Sequence, residues 1–320
     1  MDEQPLEVNG AFSTIDPRIQ LYWDSTSINA LKRCPEYYNR YMLQNWKSDR
    51  PATPLTFGIL FHRMLEIYDR IRAEGGSFEE GLRYAIKTAL LESGTREPDG
   101  AWKPWVTEDP KRNLDSLLRS AVWYLDFFRN DPAKTIILHN NQPAVELSFR
   151  FMLEEKAPTG ENYWFTGHID RLVEFNNQVW VMDRKTTTRG LGGGYFDSYT
   201  PDNQMSLYTL ASKIVYGTEA QGVIIDAVEI GTTQSKFQRG FVYRTPQQLE
   251  EWYQDTLFWI KLAGQFALQN RWPMNDASCG NYGKCLYRDI CSQSPHMREA
   301  YLKAGFHKEI WDPTKARGED

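Results

Sequence analysis

The sequence predicts an α/β fold: a mixed central sheet flanked by helices and interrupted by a helical insertion. Three observations predict it. Amphipathic helical patterns fill most of residues 25 to 128. Strand patterns follow from about residue 143 to 187 and return between 222 and 244. Helical patterns separate and close these strand runs, so the order is helices, strands, helix, strands, helix.

The first helix is STSINALKRCPEYYNRYMLQ, residues 25 to 44. It has a Ser/Thr start and spaced apolar positions, with Pro35 interrupting it. Residues 56 to 73 place Phe57, Leu60, Phe61, Met64, Ile67, Tyr68 and Ile71 at helical spacing. FEEGLRYAIKTALLES and KRNLDSLLRSAVWYLDFF are two further amphipathic helices, separated by the turn-rich EPDGAWKPW. Together they predict a helical insertion over about 75 to 140. Trp102 and Trp105 in that turn suit either base stacking or packing on the domain, and packing is the commoner role.

Strands begin with AVELSFRF, which alternates strictly. YWFTGHIDRLVEF and QVWVMDRKT come next, and then a helix in TPDNQMSLYTLASKIVYG. Thr200 is its expected N-cap, with Pro201 at the first helical position. GVIIDAVEI and FQRGFVYR are two more strands. Thr245 and Pro246 then start a long helix that runs to about Gln269.

Composition bounds the function. The chain has 320 residues, 41% hydrophobic and 25% charged, which suits a single globular domain over 1–320 with a sizeable core. It holds no apolar run long enough to span a membrane. The N-terminal MDEQPLEVNG is acidic and polar, unlike a secretory signal, so a cytoplasmic location is expected. The formal net charge of −5 weighs against a uniformly basic nucleic-acid binder but allows a basic groove.

The chemistry concentrates in GHIDRLVEFNNQVWVMDRKTTT, residues 167 to 188. Asn176-Asn177 is the natural hairpin turn, because Asn tolerates positive φ. A two-residue loop there pairs Phe175 with Gln178 and, counting outward, sets Asp170 opposite Asp183. Opposed residues have Cβ atoms about 4.5–5.5 Å apart. Two carboxylates so close repel unless a cation or proton lies between them. Lys185 shares a face with Asp183, two residues away. Paired carboxylates beside a lysine suit Mg²⁺- or Mn²⁺-dependent phosphodiester hydrolysis, although a solvated polar strand face has the same spacing.

The chain has four cysteines. Cys279, Cys285 and Cys291 cluster, and Cys34 lies far upstream. In a reducing compartment this grouping favours a metal site, either an iron–sulfur cluster or tetrahedral zinc.

These residues resemble the PD-(D/E)XK nuclease superfamily, and within it the RecB-type branch that includes CRISPR-associated exonucleases. GHID (167 to 170) and DRK (183 to 185) match its central motifs. GILFHRMLE (58 to 66) resembles the helix that supplies a metal-binding histidine, here His62. Gln204 and Tyr208 resemble its Q-x-x-x-Y motif, and Glu146 the acid on the preceding strand. The resemblance implies a restriction-endonuclease-like sheet in which His62, Asp170, Asp183 and the backbone carbonyl of Arg184 hold Mg²⁺ or Mn²⁺. Asp170, Asp183, Lys185, Gln204, Tyr208 and Glu146 would be the catalytic set. It further implies that Cys34, Cys279, Cys285 and Cys291 hold a 4Fe–4S cluster, with Zn²⁺ as the alternative. That cluster would staple Cys34 to the segment at about 274–295. Cys279 and Cys285 have five residues between them where relatives often have two.

The implied activity is a DNA nuclease, foremost an exonuclease acting at free ends or on single-stranded DNA. Other implied roles are a DNA-binding or complex-forming module and a structure-specific endonuclease. The chain has no G-x-x-x-x-G-K-S/T loop, so unwinding would need a helicase or recombination partner.

Overall fold

The computed structural model describes residues 10–50, 52–280 and 284–315. Residues 1–9 of the N-terminal stretch judged against a secretory signal lie outside the described residues, as do 281–283 of the cysteine segment.

The helices are α1 (Ser25–Arg33), α2 (Pro35–Tyr38), α3 (Thr53–Ala73), α4 (Phe78–Glu92), α5 (Leu114–Phe127), α6 (Gly193–Asp197), α7 (Asn203–Tyr216), α8 (Pro246–Leu268), α9 (Arg288–Cys291) and α10 (Arg298–Gly305). The strands are β1 (Tyr22–Trp23), β2 (Trp46–Ser48), β3 (Thr95–Arg96), β4 (Trp102–Lys103), β5 (Lys134–Thr135), β6 (Val145–Lys156), β7 (Asn162–Phe175), β8 (Gln178–Thr187), β9 (Gly222–Ile230), β10 (Ser235–Tyr243) and β11 (Phe306–Lys308). No helix among the described residues is long and apolar enough to cross a membrane.

The chain divides into two compact units. One comprises Met1–Pro51, Ser148–Gly167 and Thr245–Asp320; the other comprises Ala52–Leu147 and His168–Arg244. Strands β6 and β7 each pass from one unit to the other.

The second unit carries a mixed sheet. There β7 pairs antiparallel with β8, β8 pairs parallel with β9, and β9 pairs antiparallel with β10. Parallel neighbours need a crossover, and α7 supplies it between β8 and β9. The apolar faces of α3, α4 and α5 form one core through Phe57, Phe61, Met64, Leu65, Ala85, Leu117, Ala121 and Tyr124, joined by Val228 and Ile230 of β9. Trp105 packs against this core, while Trp102 of the short β3–β4 hairpin lies close over Gly94. Trp105 is therefore a packing residue, whereas Trp102 keeps 41% of its surface exposed.

The first unit holds α1, α2 and α8, with β1 parallel to the first part of β7 and β2 antiparallel to β11. Phe165 is fully buried and stacks on Trp252 of α8. A capping box of Thr245 and Gln248 starts α8 at Pro246, as expected from the sequence.

The helix over 25–44 is interrupted at Cys34–Pro35, as Pro35 led us to expect, and its last turn, Asn39–Leu43, is a π-helix. One expected boundary shifts. The helix expected to start at Thr200–Pro201 starts instead at Asn203. The Asp202 side chain caps it by accepting from the N–H groups of Gln204 and Met205. A carboxylate that takes two unpaired donors of the first turn is the stronger stop signal.

Candidate active site

All the residues of the candidate nuclease site lie in the second unit. Asn176 and Asn177 adopt φ of 52° and 59°, and the turn pairs Phe175 with Gln178. The ladder runs on to Arg171 and Met182, so the next positions outward are Asp170 and Asp183. The expected register is observed from Phe175–Gln178 as far as Arg171–Met182, and Asp170 and Asp183 lie one step beyond that ladder. Both carboxylates are buried, at 3% and 1% exposure.

The two acids have different partners. Asp170 Oδ2 accepts the backbone N–H of Arg184 at 2.8 Å and lies 3.3 Å from His62 Nδ1. Asp183 takes the Lys185 ammonium on both oxygens, at 3.0 and 2.8 Å. Lys185 also donates to Gln204 Oε1 at 2.7 Å, and Gln204 Nε2 donates to the Tyr208 hydroxyl at 2.9 Å. Gln204 stands in the first turn of α7, where the Asp202 cap anchors its backbone. The Q-x-x-x-Y pair is thus a bracket that aims the lysine.

Burial and the nearby Asp170 push the Asp183 carboxyl up to about 6, against the opposing pull of Lys185 and His62. Burial alone would depress the Lys185 ammonium. The Asp183 and Asp170 carboxylates outweigh it and hold Lys185 above its ordinary value.

His62 reaches the site from α3. Glu66, one turn on, is held by Arg63 at 2.7 Å and Arg70 at 3.0 Å. Gly58 lies one turn before His62, and a Cβ there would meet Thr186 Oγ1 at 3.7 Å, an ordinary contact, so the packing of α3 on the sheet does not demand glycine.

Glu146 completes the group. His62, Glu146 and Asp170 each offer a ligand atom, and these atoms all lie within 4.8 Å of one another. Imidazole nitrogen with two carboxylates is a donor set suited to Mn²⁺ or Mg²⁺. Glu146 has φ +50°, a left-handed conformation rare for a glutamate. It breaks the period-two pattern expected of AVELSFRF, because Ala144 and Val145 are both buried. Such a residue costs about 1–3 kcal/mol and persists where the surroundings enforce it. Asp183 is not a member of this triple.

Sequence reasoning missed a buried ion network behind the site. The Arg184 guanidinium pairs with Asp69 at 2.6 Å, and Arg171 lies 3.6 Å from Asp69 and 3.8 Å from Asp131. Arg239 donates to both Asp131 oxygens at 2.7 Å and to Asp226 at 3.2 Å. The Tyr124 hydroxyl donates to Asp226 at 2.5 Å. Three carboxylates thus balance three guanidinium groups, as buried charges require. One signal was visible: Asp226 in GVIIDAVEI is an acid inside an apolar strand, as Asp170 and Asp183 are.

The four cysteines lie in the first unit, all as free thiols. Cys34 stands at the α1–α2 break, and its sulfur accepts the N–H of Asn275 at 3.3 Å. Asn275 Nδ2 and Ser278 Oγ both donate to Arg33 O, at 2.9 and 2.8 Å. Cys285 N–H donates to Cys279 O at 3.1 Å. Cys285 and Cys291 pack on Trp46, Tyr287, Ile290 and Leu302. Burial pushes the Cys291 thiol up, with Cys285 adding to the effect. The upstream cysteine is therefore brought to the downstream segment. Among the described residues, the thiols form no ligand group as close-set as that of His62, Glu146 and Asp170.

A family model of the PD-(D/E)XK nuclease superfamily matches residues 24–292, which run through both units. No curated protein matches the chain. Among solved structures, it is similar to a provisionally assigned exonuclease from Eubacterium rectale. Identity is 12% and the TM-score 0.43, over 86% of this chain and 94% of that one. It is also similar to the protein SSO0001, at 12% identity and a TM-score of 0.29, over 76% of this chain and 97% of that one.

Proposed function

Since this chain belongs to the PD-(D/E)XK nuclease superfamily, we propose that it is a divalent-metal-dependent deoxyribonuclease, acting as an exonuclease from DNA ends. The observation that supports this most is the set of His62, Glu146 and Asp170 ligand atoms, within 4.8 Å of one another on the unit that also holds Lys185. His62, Asp170, Asp183 and the Arg184 carbonyl, with Glu146, would hold Mg²⁺ or Mn²⁺. The ion would supply Lewis acidity and charge neutralisation at the scissile phosphate.

The chain's own groups do the rest. Asp183 and Gln204 hold the Lys185 ammonium from two sides, so it is oriented before substrate arrives. From there it positions the attacking water or offsets charge developing on the phosphate oxygens. Tyr208 fixes the Gln204 amide through its hydroxyl. Arg184 N–H holds Asp170 in place.

The four cysteines would hold a 4Fe–4S cluster, with zinc as the alternative, as a structural staple. The donor set fits: four thiols, with Cys34 drawn to the 275–291 segment and its sulfur accepting a backbone N–H. In this reading the whole chain is one nuclease domain working in the cytoplasm. Its substrate is DNA with free ends or single-stranded character, and a partner performs any unwinding.

The test is a cleavage assay on anaerobically purified protein, comparing end-labelled linear DNA with covalently closed circles in Mg²⁺, Mn²⁺ or EDTA. Metal-dependent loss of the linear DNA alone supports an exonuclease. Cleavage of circles makes the enzyme an endonuclease. Folded protein that cleaves neither under any metal contradicts the reading.

A further inference from the structure

Within the unit that carries the candidate active site, α6 follows β8, the strand of Asp183 and Lys185, and returns to the same face of the sheet. The strand register fixes where. Asp183 pairs with Ile225, and Ile225 pairs with Gly240, so the three form one row across β8, β9 and β10 and share a face. Phe196 of α6 lies over Gly240, where a Cβ would meet its ring at 2.1 Å. Neighbouring strands stand about 4.7–4.9 Å apart, which puts Gly240 roughly 10 Å from Asp183. The Arg244 guanidinium holds α6 there, donating to Tyr199 O and to Ser206 Oγ of α7, both at 3.1 Å.

Tyr195 and Tyr199, both half-buried, stand on this segment. The Tyr199 hydroxyl donates to the Tyr195 hydroxyl at 3.1 Å. Tyr195 thus accepts one bond, and its own proton goes to no group among the described residues. Its ring is fixed by edge contacts with Phe196 and Tyr199, at 5.2 and 5.7 Å between centroids. Burial holds its phenol well above the ordinary value; Tyr199 and Asp183 add to this and Lys185 opposes it. The phenol therefore stays protonated at any working pH, within electrostatic reach of Lys185 and Asp183. The Lys185 ammonium bonds to Asp183 and Gln204 and not to Tyr195, so the phenol stands off from the reacting atoms. Beside it, Gly192, Gly193 and Gly194 are exposed, and a Cβ at any of them would meet nothing within 4 Å, which leaves room for a backbone ligand to approach.

Resting on the deoxyribonuclease reading, we propose that Tyr195 grips the DNA backbone, its hydroxyl donating to a non-bridging oxygen of a phosphate next to the scissile one. Tyrosine hydroxyls are among the groups that position nucleic-acid backbones through phosphate oxygens. The bond that Tyr195 accepts from Tyr199 polarises its O–H and strengthens the bond it gives. A neutral donor suits the place, because a further cation there would compete with Lys185 for Asp183. The contact is made alike in the ground state and the transition state, so it governs KM and not kcat.

The test is steady-state cleavage of end-labelled linear DNA in Mn²⁺ by wild type, Tyr195→Phe and Tyr199→Phe. Tyr195→Phe keeps the ring and should raise KM about tenfold with kcat little changed, as loss of a hydrogen bond to a charged group implies. Tyr199→Phe leaves the Tyr195 proton in place and should raise KM less. A second measurement addresses the phosphate itself. A neutral methylphosphonate replaces, one at a time, the phosphates nearest the DNA end. At one position it should raise the wild-type KM about tenfold and leave that of Tyr195→Phe unchanged. Each comparison is made within one protein, so any loss of folded material cancels. The inference alone is overturned, with wild-type cleavage upholding the nuclease reading, by any of three results: a wild-type KM in Tyr195→Phe, a loss of kcat in place of a rise in KM, or an equal methylphosphonate penalty in both proteins at every position. Folded wild type that cleaves no DNA with any metal overturns the nuclease reading and this inference with it.

Discussion

Arg184 donates its backbone N–H to Asp170 Oδ2 at 2.8 Å, while its guanidinium is held by Asp69 at 2.6 Å on α3. One residue thus links the hairpin to the helix that carries His62. The position of Asp170 relative to His62 rests on that link.

Asp69→Ala should therefore destabilise the protein by about 3–5 kcal/mol, because it leaves a buried guanidinium unpaired. Urea unfolding of the folded fraction measures this. A loss under about 1 kcal/mol, the level of a surface pair, would contradict the role assigned to the pair.

Glu146→Asn separates binding from folding. Asn tolerates positive φ better than Glu, so the strain at 146 should ease. The expected result is unchanged or higher thermal stability together with weaker Mn²⁺ binding. Lower stability with unchanged Mn²⁺ affinity would show that Glu146 serves the fold and not the metal.

Asp183 sets a pH dependence. Its folded value, pushed up to about 6, exceeds the ordinary value of about 3.9. Between about pH 4 and pH 6 the folded state binds more protons than the unfolded one, so stability in EDTA falls as pH rises through that window. Lys185 stays charged throughout it and adds no slope. Asp183→Asn should lose this slope, and unfolding of both proteins across the window checks it. Parallel curves would refute the assignment.

Cys34→Ala tests the staple. The wild type, purified anaerobically, should be coloured and carry iron and sulfide in equal amounts. The variant should be colourless and unstable, since it loses a cross-link that closes a loop of more than two hundred residues. A soluble, coloured and active variant would exclude Cys34 as a ligand, and zinc in place of iron would select the alternative metal.

The hairpin was legible because its information is local. Asn176-Asn177 sets the turn, and counting outward from it places Asp170 and Asp183. Lys185 follows from period-two geometry alone. The start of α7 was misjudged because Thr200 and Asp202 are both plausible caps, and only the carboxylate reaches two amides. Glu146 was legible through resemblance alone, since a glutamate carries no mark of a left-handed backbone. The ion network was hidden because Asp69, Asp131, Arg184 and Arg239 are scattered over 170 residues and meet only in the folded unit. Cys34 was linked to the C-terminal cysteines by chemistry, and its Asn275 contact could not have been read from spacing.

In the proposed reaction, Lys185, held between Asp183 and Gln204, acts in phosphodiester hydrolysis while its neighbours hold the metal. The direct measurement is single-turnover cleavage of end-labelled DNA by Lys185→Ala beside wild type, with Mn²⁺ binding measured on both. The expected rate is lower by about 10²–10⁴-fold with Mn²⁺ binding retained. Cleavage at the wild-type rate would contradict it.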